Sequence, residues 1–527
     1  MEKTTFEETV VLFTECSQER QWDSGFQAVE VPQRHAIVLT DDLLLYYKRC
    51  RRRAFLDLYG NPTQQDPEQD FLLKLRQDSL EHQRAVIALA PHESPDYPRG
   101  DWDAGAKATV ALMQQGVERI SQGVLLMPMA EGVTLLSRPD LLVKQPGQSI
   151  FGDWMYAPIN IKLGRRPKQE YQIVTAYSAQ LLAAVQGVLP STGSLILRSQ
   201  SSYSVKMEKW IPLMQEVLSE CIQTLVFRQE PELFISRQKC GLCRWHSSCH
   251  AIAQRERHLS LLPGVTPARY RELQELGVTT VESLAESEIS TLESAVGREV
   301  ASALVQQAQS TLQNRPMLRQ QTVEFAGTFE SFLPNNKLPT ASVELYFDIE
   351  AQPELPLDYL LGILVVDRRN QTETFHALLA DEPQDEALIW QQFLDLVQSY
   401  PEAPIFHFAD YEVETVKRLA RLYRTSYQPL QPLLSRFVDM HQRVLSTVML
   451  PVESYSLKHL ARWLGFEWRD PEITGSKCVC LYDEWLETRD RSLLTLIQRY
   501  NEDDCRATYV LKNWLADFLQ NNPGFSD

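Results

Sequence analysis

Asp348 and Glu350 stand two residues apart in YFDIEAQ (346–352), directly after the apolar run VELYF. On an extended strand that spacing puts both carboxylates on one face. Two acids at the end of a buried strand are costly unless a cation or solvent lies between them. Near the other end of the chain, IQRYNEDDCRATYVL (497–511) reads as helical, with Tyr500 and Asp504 one turn apart at i, i+4. A second constellation is made of sulfur. Cys240, Cys243 and Cys249 form a C-x2-C-x5-C run in KCGLCRWHSSCH, and Cys50 in YYKRCRRR is available as a fourth thiolate. Four thiolates suit either zinc or an iron-sulfur cluster, because both accept soft tetrahedral ligation.

These residues need scaffolds from several parts of a long chain. At 527 residues the protein exceeds a single hydrophobic core and fits two to four domains. No apolar run reaches the roughly 18 residues of a membrane helix, and MEKTTFEETV lacks a signal-peptide core and is too acidic for a transit peptide. These features exclude a membrane-spanning class and predict a cytoplasmic protein. A formal charge of −17 argues against a large sequence-independent duplex binder. Basic contacts must then be local, with KRCRRR (48–53) and GRRPK (164–168) as candidates.

Helical periodicity is predicted over 70–90 and about 103–121. Strand-like segments follow in GVLLMPMA, GVTLLSRPDLLVK and MYAPINIK, then a helix over 171–188 and a closing pair of strands in SLILRS and SVKMEKW. Residues 259–288 read as short helices separated by PGV and LGV turns. The Gln-, Asn- and Pro-rich stretch 313–341 reads as a linker. Three consecutive strands come next, in ASVELYFDIE, DYLLGILVVD and TETFHALLA, joined by polar turns such as DRRN (367–370), and the remainder is mostly helical. That order is an α/β pattern.

A cysteine near the start, followed by C-x2-C-x5-C after the core, resembles the iron-sulfur type of RecB-like PD-(D/E)XK nucleases, which includes AddB and CRISPR-associated exonucleases. The resemblance implies a restriction-endonuclease-like domain over 1–255 whose ends are tied by a 4Fe-4S cluster on Cys50, Cys240, Cys243 and Cys249. His246 and His250 keep a zinc alternative open. Such a family places a helical His, an Asp and a (D/E)-x-K between the cysteines, and His82, Asp140 and Lys162 match that order. Two oxygen ligands and a His would hold Mg2+ or Mn2+ against the phosphate, and Lys would stabilise charge. The acid position holds Asn160 instead. One missing unit charge at about 4 Å and an effective dielectric near 20 is on the order of 4 kcal/mol. Asp153 falls at an odd offset on the strand and Glu81 diverges from His82 on its helix, so neither replaces the acid. The resemblance assigns nucleic-acid contacts to Arg165, Arg166, Gln172 and Tyr177, although Gln172 and Tyr177 are five residues apart where the family has four.

LLPGVTPARYRELQELGV resembles a helix-hairpin-helix module over 256–312, in which a hairpin at Gly264 presents backbone N–H groups to phosphate. The D-x-E and Y-x3-D pairs resemble the tyrosine-containing DEDD exonucleases of the RNase H-like superfamily. VDMHQRV, SLKHLARWLGFEW and YNEDDCRAT together are similar to the YprB-type domain attached to RecB-like nucleases. This implies an RNase H-like 3′–5′ exonuclease domain over 342–527, with two metal ions held by Asp348, Glu350 and Asp504. Tyr500 would position the attacking water, and Glu412 takes the middle acid position near His407, with Asp410 as its competitor. Cys478, Cys480 and Cys505 follow no ligand pattern.

The expectation is therefore an α/β multidomain, divalent-metal-dependent nuclease acting on single-stranded DNA or RNA ends. No G-x4-G-K-[ST] occurs, so duplex processing would need a helicase in trans. The rival reading makes the N-terminal half a nucleic-acid-binding scaffold that does not cleave.

Overall fold

The computed structural model describes residues 37–129, 132–319 and 338–522. The chain forms two compact units, the first holding most residues up to Leu233 and the second most residues from Phe234 onward. The start of the expected first domain and most of the expected linker, residues 320–337, lie outside the described residues. Among the described residues no helix is long and apolar enough to cross a membrane.

Among the described residues of the first unit eight strands build two sheets. They are β1 (Ile37–Thr40), β2 (Arg119–Ser121), β3 (Leu125–Pro128), β4 (Val133–Ser137), β5 (Leu141–Ser149), β6 (Gly152–Ile161), β7 (Thr192–Ile196) and β8 (Ser202–Lys206). The small sheet has the order β1-β4-β3 and the larger one β2-β5-β6-β7-β8. β6 pairs antiparallel with β5 and parallel with β7, across which the Gln169–Gln186 helix returns the chain. That helix buries most of its length, including Ile173, Ala176, Leu181 and Leu182, and ends at Gly187, whose φ of 76° is easy only for glycine.

Two sequence expectations are corrected here. The helix expected to about 121 spans Trp102–Gln114. Gly116, at positive φ, turns the chain so that β2 can pair with β5. SVKMEKW is only half strand, because Met207 opens the Met207–Val226 helix, whose buried Met207, Trp210, Ile211 and Met214 follow a helical repeat.

The second unit contains the helical module and a five-stranded sheet. The Pro267–Glu275, Val281–Ala285, Ile289–Val296 and Arg298–Gln313 helices share one apolar core that includes Leu259, Leu273, Leu284 and Leu304. The PGV and LGV turns place Gly264 and Gly277 at φ of 90° and 76°. The expected linker begins as structure: β9 (Met317–Leu318) pairs with the later β15 (Val448–Met449). Beside that pair, Gln307 Nε2 donates to Leu450 O at 2.7 Å and Tyr455 donates to Gln307 Oε1 at 2.9 Å.

The three expected strands are β10 (Val343–Gln352), β11 (Leu357–Asp367) and β12 (Thr372–Leu379), an antiparallel meander. Asp367 closes its DRRN turn by accepting from the Arg369 and Asn370 N–H groups. Two short parallel strands, β13 (Ile405–His407) and β14 (Phe437–Asp439), extend the sheet to β12-β11-β10-β13-β14. The 31-residue Arg491–Asn521 helix packs across β10 and β11.

One buried ion pair pins that helix to the sheet. Lys512 Nζ lies 2.7 Å from Glu344 Oε1, and Glu344 also accepts from Arg368 and from Tyr346. Burial works to raise the Glu344 carboxyl, but the hydrogen bonds from Arg368, Lys512 and Tyr346 outweigh it and hold it below its ordinary range. Its stabilisation is therefore present above the unfolded-state value and lost as pH falls. Lys512→Met is expected to destabilise the unit by about 3 kcal/mol, because Glu344 loses its buried partner. The check is the urea midpoint, and Lys512→Met with Glu344→Leu is expected to recover part of the loss.

Candidate active site

β10 carries Asp348 and Glu350 on one face, as their spacing predicts, and the Arg491–Asn521 helix brings Asp504 to them. One ligand oxygen from each lies within 4.8 Å of the others, the only such group of three His, Cys, Asp or Glu donors among the described residues. Asp348 faces Gly362 across the β10–β11 ladder. Asn501 fills the space above this glycine and donates from Nδ2 to Asp348 Oδ2 at 2.7 Å. A Cβ at position 362 would stand 1.6 Å from Asn501 Oδ1, so only glycine fits. Asp504 accepts from Trp468 Nε1 at 2.8 Å.

The electrostatics are those of acids crowded without full compensation. Burial, then the charge of Asp504 and that of Glu350, hold the Asp348 carboxyl well above its usual range. Glu350 is raised by burial and by Asp504, with Lys458 pulling the other way. Asp504 is pushed up to about 6 by burial, against the Trp468 hydrogen bond, Lys458 and the hydrogen bond from Tyr500. Burial and the charge of Asp504 also raise the Tyr500 phenol, favouring its protonated form.

Glu412 is buried on the Tyr411–Leu422 helix, with Oε2 3.5 Å from His407 Nδ1. That oxygen has no hydrogen-bond partner among the described residues, and Asp348 feels its charge. Asp410, the competing acid, is exposed. Glu412 stands outside the close trio, so three of the four expected acids converge and the fourth flanks them.

A family model described as the RNase_H superfamily matches residues 345–516. No curated protein matches the chain. The RNase H-like domain thus contains every acid just described, and its fold is one typical of nucleases.

Sequence reasoning missed Asn501, Trp468, Lys458 and Gly362. Asn501 sits beside Tyr500 in RYNEDD, but nothing local marks it. The others come from separate segments and acquire meaning only through contact with Asp504 or Asp348. Of the unpatterned cysteines, Cys478 and Cys505 are buried and Cys480 is half-buried.

In the first unit, His82, Asp140 and Lys162 share one electrostatic neighbourhood. Burial lowers the His82 ring pKa, with Asp140 opposing, and burial raises Asp140, with Lys162 opposing. Asp140 Oδ2 accepts from the Ile161 N–H at 2.6 Å. Asn160 is 2% exposed and its Nδ2 donates to Thr175 Oγ1 at 3.1 Å, tying β6 to the helix behind it. Asp42 adds its charge to that of Asp140, and Asp41 feels Lys162; both lie in the first turn of the Asp41–Arg49 helix. Asp41 accepts from the Arg138 N–H and burial pushes it up to about 6. Asp153 and Glu81 are exposed.

Several expected nucleic-acid contacts are corrected. Tyr177 is buried and donates to Leu39 O at 2.7 Å, and Gln172 is buried and donates to Pro167 O at 3.0 Å. Both hold the fold instead of facing a ligand. The four arginines of KRCRRR pair within the unit, Arg49 with Glu170, Arg51 with Glu220, Arg52 with Glu230 and Arg53 with Asp57, while Lys48 is exposed. Arg165 and Arg166 are exposed. Cys50 and Cys243 belong to the first unit, where burial raises the Cys243 thiol and Cys50 adds to the effect. Cys240 and Cys249 belong to the second, where Cys240 Sγ accepts from the Ser236 N–H at 3.3 Å. His250 is committed to Glu453 at 2.6 Å, which weighs against it as a zinc ligand.

A carboxyl whose folded-state pKa is raised destabilises the fold once it ionises. Asp504→Asn is therefore expected to stabilise the metal-free protein at about pH 8 by on the order of 2–3 kcal/mol, with the gain vanishing below about pH 4. Thermal melts across that range check it. Mn2+ binding is expected to release protons and to weaken as pH falls through about 6, read by calorimetry in buffers of different ionisation enthalpy.

Proposed function

We propose that the chain is a divalent-metal-dependent nuclease that removes nucleotides from single-stranded DNA or RNA ends. Cleavage belongs to the RNase H-like domain. The observation that carries this reading is the convergence of Asp348, Glu350 and Asp504 within 4.8 Å. A buried, repelling trio of hard oxygen donors, flanked by Glu412, whose Oε2 accepts no hydrogen bond among the described residues, fits Mg2+ or Mn2+. Asp348, Glu350 and Asp504 would hold one ion, and Asp348 with Glu412 a second. Such ions stabilise the attacking and leaving oxygens of an in-line displacement. Tyr500, kept protonated by its surroundings and hydrogen-bonded to Asp504, would orient the attacking water. Lacking a Walker motif, the protein would take duplexes only after a helicase had opened them.

For the first unit we favour the second reading, a nucleic-acid-binding scaffold that does not cleave. Asn160 supports it, since its amide is committed to Thr175 and it brings no charge.

End-labelled single strands of DNA and of RNA, incubated with Mg2+ or Mn2+, test the whole reading. Asp348→Ala and Asp504→Ala are each expected to lower the cleavage rate by roughly 10³-fold or more, the worth of one unit charge at this range. Tyr500→Phe is expected to cost about 10²-fold in kcat. Asp140→Ala is expected to change nothing. Cleavage that survives Asp348→Ala and is lost with Asp140→Ala would move the chemistry to the first unit.

A further inference from the structure

Two cations beside the carboxylate trio form no ion pair within 4.0 Å among the described residues. Lys458 and Arg462 stand one turn apart on the Leu457–Trp463 helix. Both reach over the Trp468 indole, with Lys458 Nζ 5.6 Å and the Arg462 guanidinium carbon 6.0 Å from its centroid. The same indole donates to Asp504 Oδ1. Lys458 Nζ also lies 4.6 Å from the Tyr500 ring. Both side chains are thereby fixed at the rim of the site, on the aromatic groups that hold Asp504.

Like charges at i, i+4 repel, and each cation lowers the comfort of the other: Arg462 opposes the protonated form of Lys458, whose ammonium is already disfavoured by burial. Among the described residues neither forms an ion pair within 4.0 Å. An ammonium has three donors, and one is used, by Ile473 O at 3.0 Å. Elsewhere in this acidic chain the exposed Arg489 and Arg491 and the half-buried Lys417 are paired with carboxylates. A close, unpaired cationic couple is an electrostatic cost that an anion would relieve.

We propose that Lys458 and Arg462 form a phosphate-binding strip that seats the backbone of one nucleic-acid strand against the carboxylate trio, with Trp468 as its floor. The inference rests on the nuclease reading and adds where the strand lies. Two cationic heads on neighbouring turns, with Cβ atoms about 5–6 Å apart, match successive phosphates of one strand better than a single free phosphate. Glu350 and Asp504 both feel the Lys458 charge. Divalent cations in the trio would take over that compensation and leave Lys458 free for the strand.

The test is binding of the full chain to a labelled phosphorothioate oligothymidylate that resists cleavage, followed by anisotropy with Ca2+ over a salt series. Each phosphate contact on a single strand contributes about 0.7 to the slope of log K against log salt. Lys458→Met and Arg462→Met are each expected to flatten the slope by about 0.7, and the pair by about 1.4, while Lys458→Arg keeps it. Lys417→Met, which removes a charge elsewhere, is expected to leave it unchanged. Arg462 is exposed, so its variant carries the test if Lys458→Met misfolds. An unchanged slope in the Arg462 variant overturns the strip, as does equal flattening in the Lys417 control. Displacement by thymidine monophosphate at matched phosphate concentration also overturns it, in favour of a mononucleotide site. Calorimetry with Mn2+ separates the two failures: wild type that neither binds Mn2+ nor cleaves sinks the nuclease reading, whereas intact Mn2+ binding with an unaltered slope sinks only the strip.

Discussion

Asp348, Glu350 and Asp504 repel one another, and at 4.8 Å with an effective dielectric near 20 each ionised pair costs about 3–4 kcal/mol. Holding them together therefore requires rigid supports. β10 is paired with β11 through both acids and with β13 at Leu345 and Tyr346 just before them, which anchors the strand that carries them. The long C-terminal helix delivers the third, and it is clamped to the same strand by the buried Lys512–Glu344 pair. Asn501 and Trp468 then orient individual carboxylate oxygens. The repulsion persists because packing and the buried Lys512–Glu344 pair oppose it, which is how a protein keeps a cation site ready before the cation arrives.

The patterns that are local in sequence were the ones that could be read there. A two-residue offset on a strand and a four-residue offset on a helix carry their geometry with them, so Asp348, Glu350, Tyr500 and Asp504 were visible. Gly362 was not, because its meaning lies in Asn501, which occupies the volume of a missing side chain from 139 positions away in the sequence. KRCRRR misled for the same reason in reverse. Its partners Glu170, Glu220 and Glu230 are distant along the chain, and without them a run of cations looks like a binding surface. Tyr177 and Gln172 were assigned by resemblance, and burial of their helix decided otherwise.

The two units contrast in what they do with charge. Around Asp140 the potential third ligand is an amide locked to Thr175, and Lys162 offsets much of the acid that remains. Around Asp348 the acids outnumber the nearby cation Lys458. A divalent ion has more to gain in the second setting than in the first, which makes the difference between Asn160 and a carboxylate a difference in the whole local field.

The clamp and the cluster also share a ruler. From Glu344 to Asp348 is four strand residues, about 13 Å, and from Asp504 to Lys512 is eight helical residues, about 12 Å. The two spacings agree, so one rod lies along one strand with both its acid and its lysine in register. A residue inserted between Asp504 and Lys512 would advance the rod by about 1.5 Å and rotate its end by about 100°, and no shift of the helix would restore both contacts. An added residue is thus tolerated in places such as the DRRN turn and not in the interval between the clamp and the cluster.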